Sequence, residues 1–146
     1  LNDRTKEGIV LILKAMELDP ENAGIYHVLA GAYEKIEMFD EAIENYELSL
    51  ALDPLDEECL MNYVNLISLT SWKKALDYIE EFELMNPANE YNSLLKVNAL
   101  WKLERKEESL ELFKKCIELD RKKAIELFDI NSELKSVPEF VLLSDK

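Results

Sequence analysis

The sequence predicts an all-α protein, a solenoid of antiparallel helix pairs, and three observations carry that prediction. A helix-ending phrase recurs: KAMELDP closes at Pro20, LSLALDP at Pro54, EFELMNP at Pro87 and KCIELDR at Arg121, at spacings of 34, 33 and 34 residues. A fixed period in this range marks stacked repeats, each unable to bury its apolar face alone. Only 3 Gly and 4 Pro occur among 146 residues, which disfavours sheets and long loops. Between the phrases, apolar side chains recur three and four residues apart, the spacing of one helix face.

Taken in order, Asp3 to Leu18 carries Ile9, Ile12, Leu13, Ala15 and Met16 at helical spacing and reads as the second helix of a pair whose first is missing. The open face of this half repeat is expected to pack on further repeats or on a second copy. Asp19-Pro20 ends it, with Pro20 expected in the first turn of the next helix, where its missing N–H has no partner to lose. The next pair runs from about Asn22 to Ile36 and from about Asp40 to Leu52. At 100° per residue, Tyr26, Leu29, Ala30 and Tyr33 share one arc, and Gly24, His27, Gly31 and Glu34 lie opposite. In the second helix Ala42, Ile43, Tyr46 and Leu50 face inward, while Glu41, Glu44 and Glu47 face water.

Those positions resemble the tetratricopeptide repeat, whose 34-residue pattern asks for large, Leu, small and Tyr positions in its first helix and Ala, aromatic, Ala and Pro positions in its second. Tyr26, Leu29, Ala30, Tyr33, Ala42, Tyr46 and Pro54 answer it; Ser49 departs from Ala but stays small. The resemblance implies a right-handed superhelix, with boundaries at 1–22 (half repeat), 23–56, 57–89 and 90–123 (three repeats) and 124–146 (capping helices), within a single domain 1–146.

Repeat two is one residue short in its inter-helix turn and keeps Leu60, Tyr63, Val64, Ile67, Ala75, Ile79, Phe82 and Pro87. Trp72 is expected to plug that turn, as Phe39 does in repeat one. Repeat three keeps Ser109, Phe113 and Cys116, but Ser93 and Lys96 occupy expected core positions while Leu94, Leu95 and Trp101 lie on the opposite arc. A helix apolar most of the way round is covered on two sides, so either the register slips by one or something packs on the inner face. In the tail, Ser136-Val137-Pro138-Glu139 has the spacing of a capping box, and Glu133 to Phe140 looks like the closing helix that follows many tetratricopeptide arrays. Phe140, Val141 and Leu143 are expected to cover the last apolar groove.

The formal charge is −14, and residues 1–60 hold −11 of it, with 15 acids against 4 bases. Such a surface argues against nucleic-acid phosphate and against anionic membrane, and favours basic or apolar protein partners. No run approaches the roughly 18 apolar residues that span a bilayer. Cys59 and Cys116 are too few for a disulfide framework, which points to a reducing, cytoplasmic setting, a periplasmic or secreted one staying open if an export signal has been removed upstream. One histidine, no Gly-rich phosphate loop and no Cys or His cluster at ligand spacing predict no enzyme, no metal and no cofactor.

The resemblance implies a concave groove lined by the first helix of each pair, binding a peptide or a partner helix. The candidate lining residues are His27, Met61, Asn62, Asn65, Tyr91, Leu94, Asn98 and Trp101. The asparagines offer donor and acceptor to a peptide backbone, and Met61, Tyr91, Leu94 and Trp101 offer an apolar anchor. Because Gly24, His27 and Gly31 leave repeat one nearly bare, recognition is expected downstream of it. His27, Asn62 and Leu95 stand where chaperone-tail clamps of the family carry Lys, Asn and Arg, so no acidic chaperone tail is expected to bind. The expected function is therefore a non-catalytic protein-interaction module; the alternative is a structural or self-associating segment of a longer solenoid, forming a homo-oligomer through the open N-terminal end.

Overall fold

The recurrent phrases end helices as expected. A computed structural model describes residues 2–145, and every regular element among them is helical. Residues 2–63 and 64–145 form two compact units, the division falling inside one helix, and each unit is described by itself.

The first unit holds α1 (Asn2–Leu18), α2 (Ala23–Lys35), α3 (Phe39–Leu52) and the start of α4 (Glu57–Ser68). α2 packs on both α1 and α3. Ile9 of α1 is buried, whereas Val10 and Leu11 remain exposed. Pro20 lies in the turn three residues ahead of Ala23, the first residue of α2, and not in the helix's first turn as the sequence suggested; its carbonyl accepts from Tyr26 Oη at 2.8 Å, which ties the turn to the helix it precedes. Leu29, Ala30, Ala42, Tyr46, Ser49 and Leu50 form the core of the α2–α3 pair. Ser49 departs from the family's alanine at a useful cost: its Oγ donates to the Ala23 carbonyl at 2.8 Å, so a fully buried hydroxyl is satisfied at the helix crossing.

The α2–α3 turn is a two-bond helix terminus. Met38 N–H donates to the Tyr33 carbonyl (3.0 Å) and Glu37 N–H to the Glu34 carbonyl (3.0 Å), with Glu37 left-handed at φ 61°. The same pattern recurs at Leu103–Arg105, where Arg105 N–H reaches the Leu100 carbonyl and Glu104 takes φ 59°. The turn of repeat two differs. Leu69, Thr70 and Ser71 close it without a left-handed residue, and Ser71 Oγ accepts from Lys74 N–H to start the next helix. The missing residue of the 33-residue repeat is thus the left-handed one.

The second unit continues with α5 (Trp72–Met85), α6 (Tyr91–Lys102), α7 (Lys106–Leu119), α8 (Arg121–Ala124), α9 (Leu127–Ile130), a 3-10 segment (Ser132–Ser136) and α10 (Pro138–Asp145). α6 packs on α5, α7 and α9. Of its 12 residues, Tyr91, Asn92, Leu94, Leu95, Val97, Asn98, Ala99 and Leu100 are buried, as its all-round apolar sequence anticipates. Of the two explanations offered for that sequence, cover by another segment is what the fold supplies. Phe140 of α10 is fully buried, 5.0 Å from the Trp101 ring and 5.2 Å from Phe113, and Leu127 and Leu134 of the tail are fully buried as well.

The tail itself differs from expectation. It breaks into short pieces, and Glu133 to Phe140 is not one helix but a 3-10 segment followed by the first turn of α10. Pro138 does open that helix, where its ring costs no hydrogen bond. Ser136, expected to cap it, instead ends the 3-10 segment, because Val137 is extended (φ −93°, ψ 111°) between the two.

Candidate functional site

Side chains at the expected inner positions gather in two places, one per unit. In the first, α2 places His27 one helix away from the N-terminus of α4. Asp56 caps α4: its Oδ1 accepts from Cys59 N–H at 3.0 Å, as a residue at this position does for the third amide of a helix. Its Oδ2 lies 3.6 Å from His27 Nδ1, and the other ring nitrogen, Nε2, is 3.0 Å from Asn62 Nδ2. The imidazole is also tilted against the Tyr46 ring at 6.0 Å. His27 is therefore half-buried and held on three sides, not the freely exposed residue that its helical angle suggested, because Asp56 and Asn62 at the start of α4 reach its ring.

Two neighbours carry shifted acidities. Burial, followed by the hydrogen bond to Glu34 (2.8 Å) and its negative charge, holds the Tyr46 phenol well above its usual range. Burial pushes the Cys59 thiol up to about 11; a hydrogen bond with Ser49 opposes this, and the carboxylates of Asp56, Asp53 and Glu58 add to it. A thiol so placed is not a nucleophile near neutrality.

In the second unit, Asn65, Trp72, Asn98, Lys102, Asp129, Ile130, Asn131, Ser132 and Glu133 line a cavity of about 330 Å3. Asn65 is exposed on α4. Asn98 Oδ1 accepts from Asn131 Nδ2 at 2.8 Å, which leaves the Asn98 NH2 as a donor. Lys102 Nζ lies 6.0 Å from the centre of the Trp72 ring and 3.8 Å from Glu133 Oε2. Trp72 is half-buried, beside this cavity as well as at the inter-helix turn.

The eight expected lining residues thus divide. His27, Met61 and Asn62 stand half-buried in the first unit; in the second, Asn65 is exposed and Trp101 half-buried. Tyr91, Leu94 and Asn98 are buried and do not form open surface: α5, α7 and α9 pack around α6, and Asn131 covers Asn98. Missing from the expected set were Lys102, Asn131, Asp56 and Cys59. Lys102 was legible as an inner-face position, and Asp56 as a helix cap. Asn131 comes from a tail segment whose path no periodicity encodes, and the pairing of His27 with Cys59 joins residues 32 apart on different helices.

Comparison with known proteins concerns the repeats and the fold. The tetratricopeptide repeat family model matches residues 23–54 and 93–127. None of the curated proteins matches the chain. Among solved structures, one described as the functional characterization of Pseudomonas aeruginosa pilF is similar over 98% of this chain and 67% of its own, at 21% identity and a TM-score of 0.59. YrrB, described as a TPR protein with an unusual peptide-binding site, is similar over 97% of this chain and 77% of its own (19% identity, TM-score 0.54). MamA is similar over 99% and 91% respectively (15% identity, TM-score 0.55). At these identities the likeness concerns the fold. No helix among the described residues is long and apolar enough to cross a membrane.

Proposed function

We propose that this chain, which carries tetratricopeptide repeats and is thereby a protein-interaction module, binds an extended peptide or a partner helix on the inner helices of its repeats without doing chemistry on it. The observation behind this reading is the cavity of the second unit, where the exposed Asn65 amide stands with the Trp72 ring and Lys102 beside the Asn98–Asn131 amide pair. An amide offers a donor and an acceptor together, which is what each residue of an extended backbone presents, so such contacts hold a peptide whatever its side chains. Trp72 supplies a rigid apolar wall, and the Asp129 carboxylate favours a basic side chain in the ligand. The net charge of −14 supports the same preference and argues against phosphate polymers. Met61, His27 and Asn62 stand half-buried in the first unit and offer contacts of their own.

The repeat boundaries stay at 23–56, 57–89 and 90–123, with the tail from 124 acting as a cap that takes up much of the inner face of repeat three. Free thiols at Cys59 and Cys116 fit a reducing, cytoplasmic compartment. A displayed library of extended peptides selected on the wild-type chain tests the site. Calorimetry of the best peptide should show roughly tenfold weaker binding to Asn65→Ala, the loss expected for one satisfied hydrogen bond; equal affinity for the two proteins removes the cavity as the binding site.

A further inference from the structure

His27 and the first turn of α4 place three different donor atoms together: a ring nitrogen of His27, a carboxylate oxygen of Asp56 and the sulfur of Cys59 lie within 4.8 Å of one another. In a tetrahedral site with metal–ligand bonds of about 2.0–2.3 Å, ligand atoms stand roughly 3.3–3.8 Å apart. His27 Nδ1 and Asp56 Oδ2, at 3.6 Å, already have that spacing. The sulfur has at most about 1.5 Å further to close, within reach of side-chain rotations.

Each ligand is also held from behind. Asp56 keeps its second oxygen on the Cys59 amide, so Oδ2 is aimed without losing the helix cap. Asn62 sits on the far ring nitrogen of His27 at 3.0 Å. The oxygen and nitrogen of its amide exchange by a half-turn, so Asn62 can accept from Nε2–H and leave Nδ1 with a free lone pair, the outer contact that ligating histidines make. The Tyr46 ring lies tilted against the imidazole at 6.0 Å. The side chains of His27 and Asp56 are 18% and 25% exposed, which gives a hydrated ion a way in, while Cys59 is wholly buried.

We propose that His27 Nδ1, Asp56 Oδ2 and the Cys59 thiolate bind one divalent transition-metal ion, zinc by preference, with a fourth position left to water. Nitrogen, oxygen and sulfur together suit a borderline ion; magnesium and calcium require oxygen ligands throughout. Binding forms a metal–sulfur bond and releases the thiol proton to solvent.

Cobalt(II) titration of the reduced chain tests this directly, since a cobalt–thiolate bond gives a charge-transfer absorption in the near ultraviolet that carboxylates do not. One equivalent should develop the band in the wild type and in Cys116→Ser, and zinc should displace it. Cys59→Ser should lack the band while keeping the wild-type circular dichroism. Asp56→Asn, which preserves the cap, and His27→Gln should each bind at least tenfold more weakly, and they decide the matter should the serine variant fail to fold. Absence of the band in the wild type, its loss in Cys116→Ser, or unchanged affinity in both Asp56→Asn and His27→Gln overturns the site.

Discussion

α2 in the first unit and α6 in the second occupy the same place in their repeats and meet opposite fates. Val28 on α2 is 61% exposed, whereas Leu95, 67 residues on at the equivalent position, is 2% exposed. Gly31 has open space where a side chain would begin, and its counterpart Asn98 is buried against Asn131. The repeat framework is common to both; what differs is whether another segment of the same chain lies on the inner face. α9 and the Phe140 ring do so for repeat three, and they fill with the protein's own side chains a surface that the repeat pattern alone leaves available. The pattern locates inner positions, but availability is a tertiary property.

The comparison breaks most readily at Phe140. Phe140→Ala empties the space between Trp101 and Phe113 and should cost about 3–5 kcal/mol, as for other buried aromatics, whereas Val28→Ala should change stability by less than about 0.5 kcal/mol. Chemical denaturation of the two variants measures the contrast, and similar losses would mean that the tail is not what stabilises α6. At the next pair, Asn98→Ala should destabilise by about 1–2 kcal/mol by leaving the Asn131 amide without its acceptor, while Gly31→Ala should stabilise by about 0.5–1 kcal/mol through helix propensity in open space. Thermal melts should move in opposite directions, and a destabilised Gly31→Ala would show that α2 is covered as well. The smallest effect concerns the two turns that share a left-handed glutamate. Glu37→Gly and Glu104→Gly should each raise stability by up to about 1 kcal/mol, since glycine takes φ near 60° without its Cβ meeting the carbonyl. An unchanged melting point in both would show that the strain is relieved locally.

Much of the fold was legible because its determinants are local and periodic. The Asp-Pro and Asn-Pro phrases, the small residues Ala42, Ala75 and Ser109 at helix crossings, and the Leu29–Ala30 pair each state their place through spacing, and all of these core residues are buried as expected. The turn of repeat two was legible too, as a missing residue. The candidate sites were legible only in outline. Asn65 follows from helical angle, since nothing in its own unit covers it. Tyr91, Leu94 and Asn98 follow from the same angle and are nonetheless buried, because the segment that buries them has no period of its own. Ser136 has the right neighbour for a capping box, yet the extended backbone at Val137 places the helix start two residues later.

The sequence by itself determined an all-helical chain of repeated helix pairs, the phase of each helix and the character of its surface, because helix formation and stacking depend on residues three, four and 34 apart. Only the tertiary structure decided that the tail folds back on repeat three and that His27 meets Asp56 and Cys59. Both outcomes depend on where a loop or a tail leads the chain after a helix ends. For the tail, that path is set by the summed packing of distant apolar side chains such as Leu127, Leu134 and Phe140, and no short-range pattern records it.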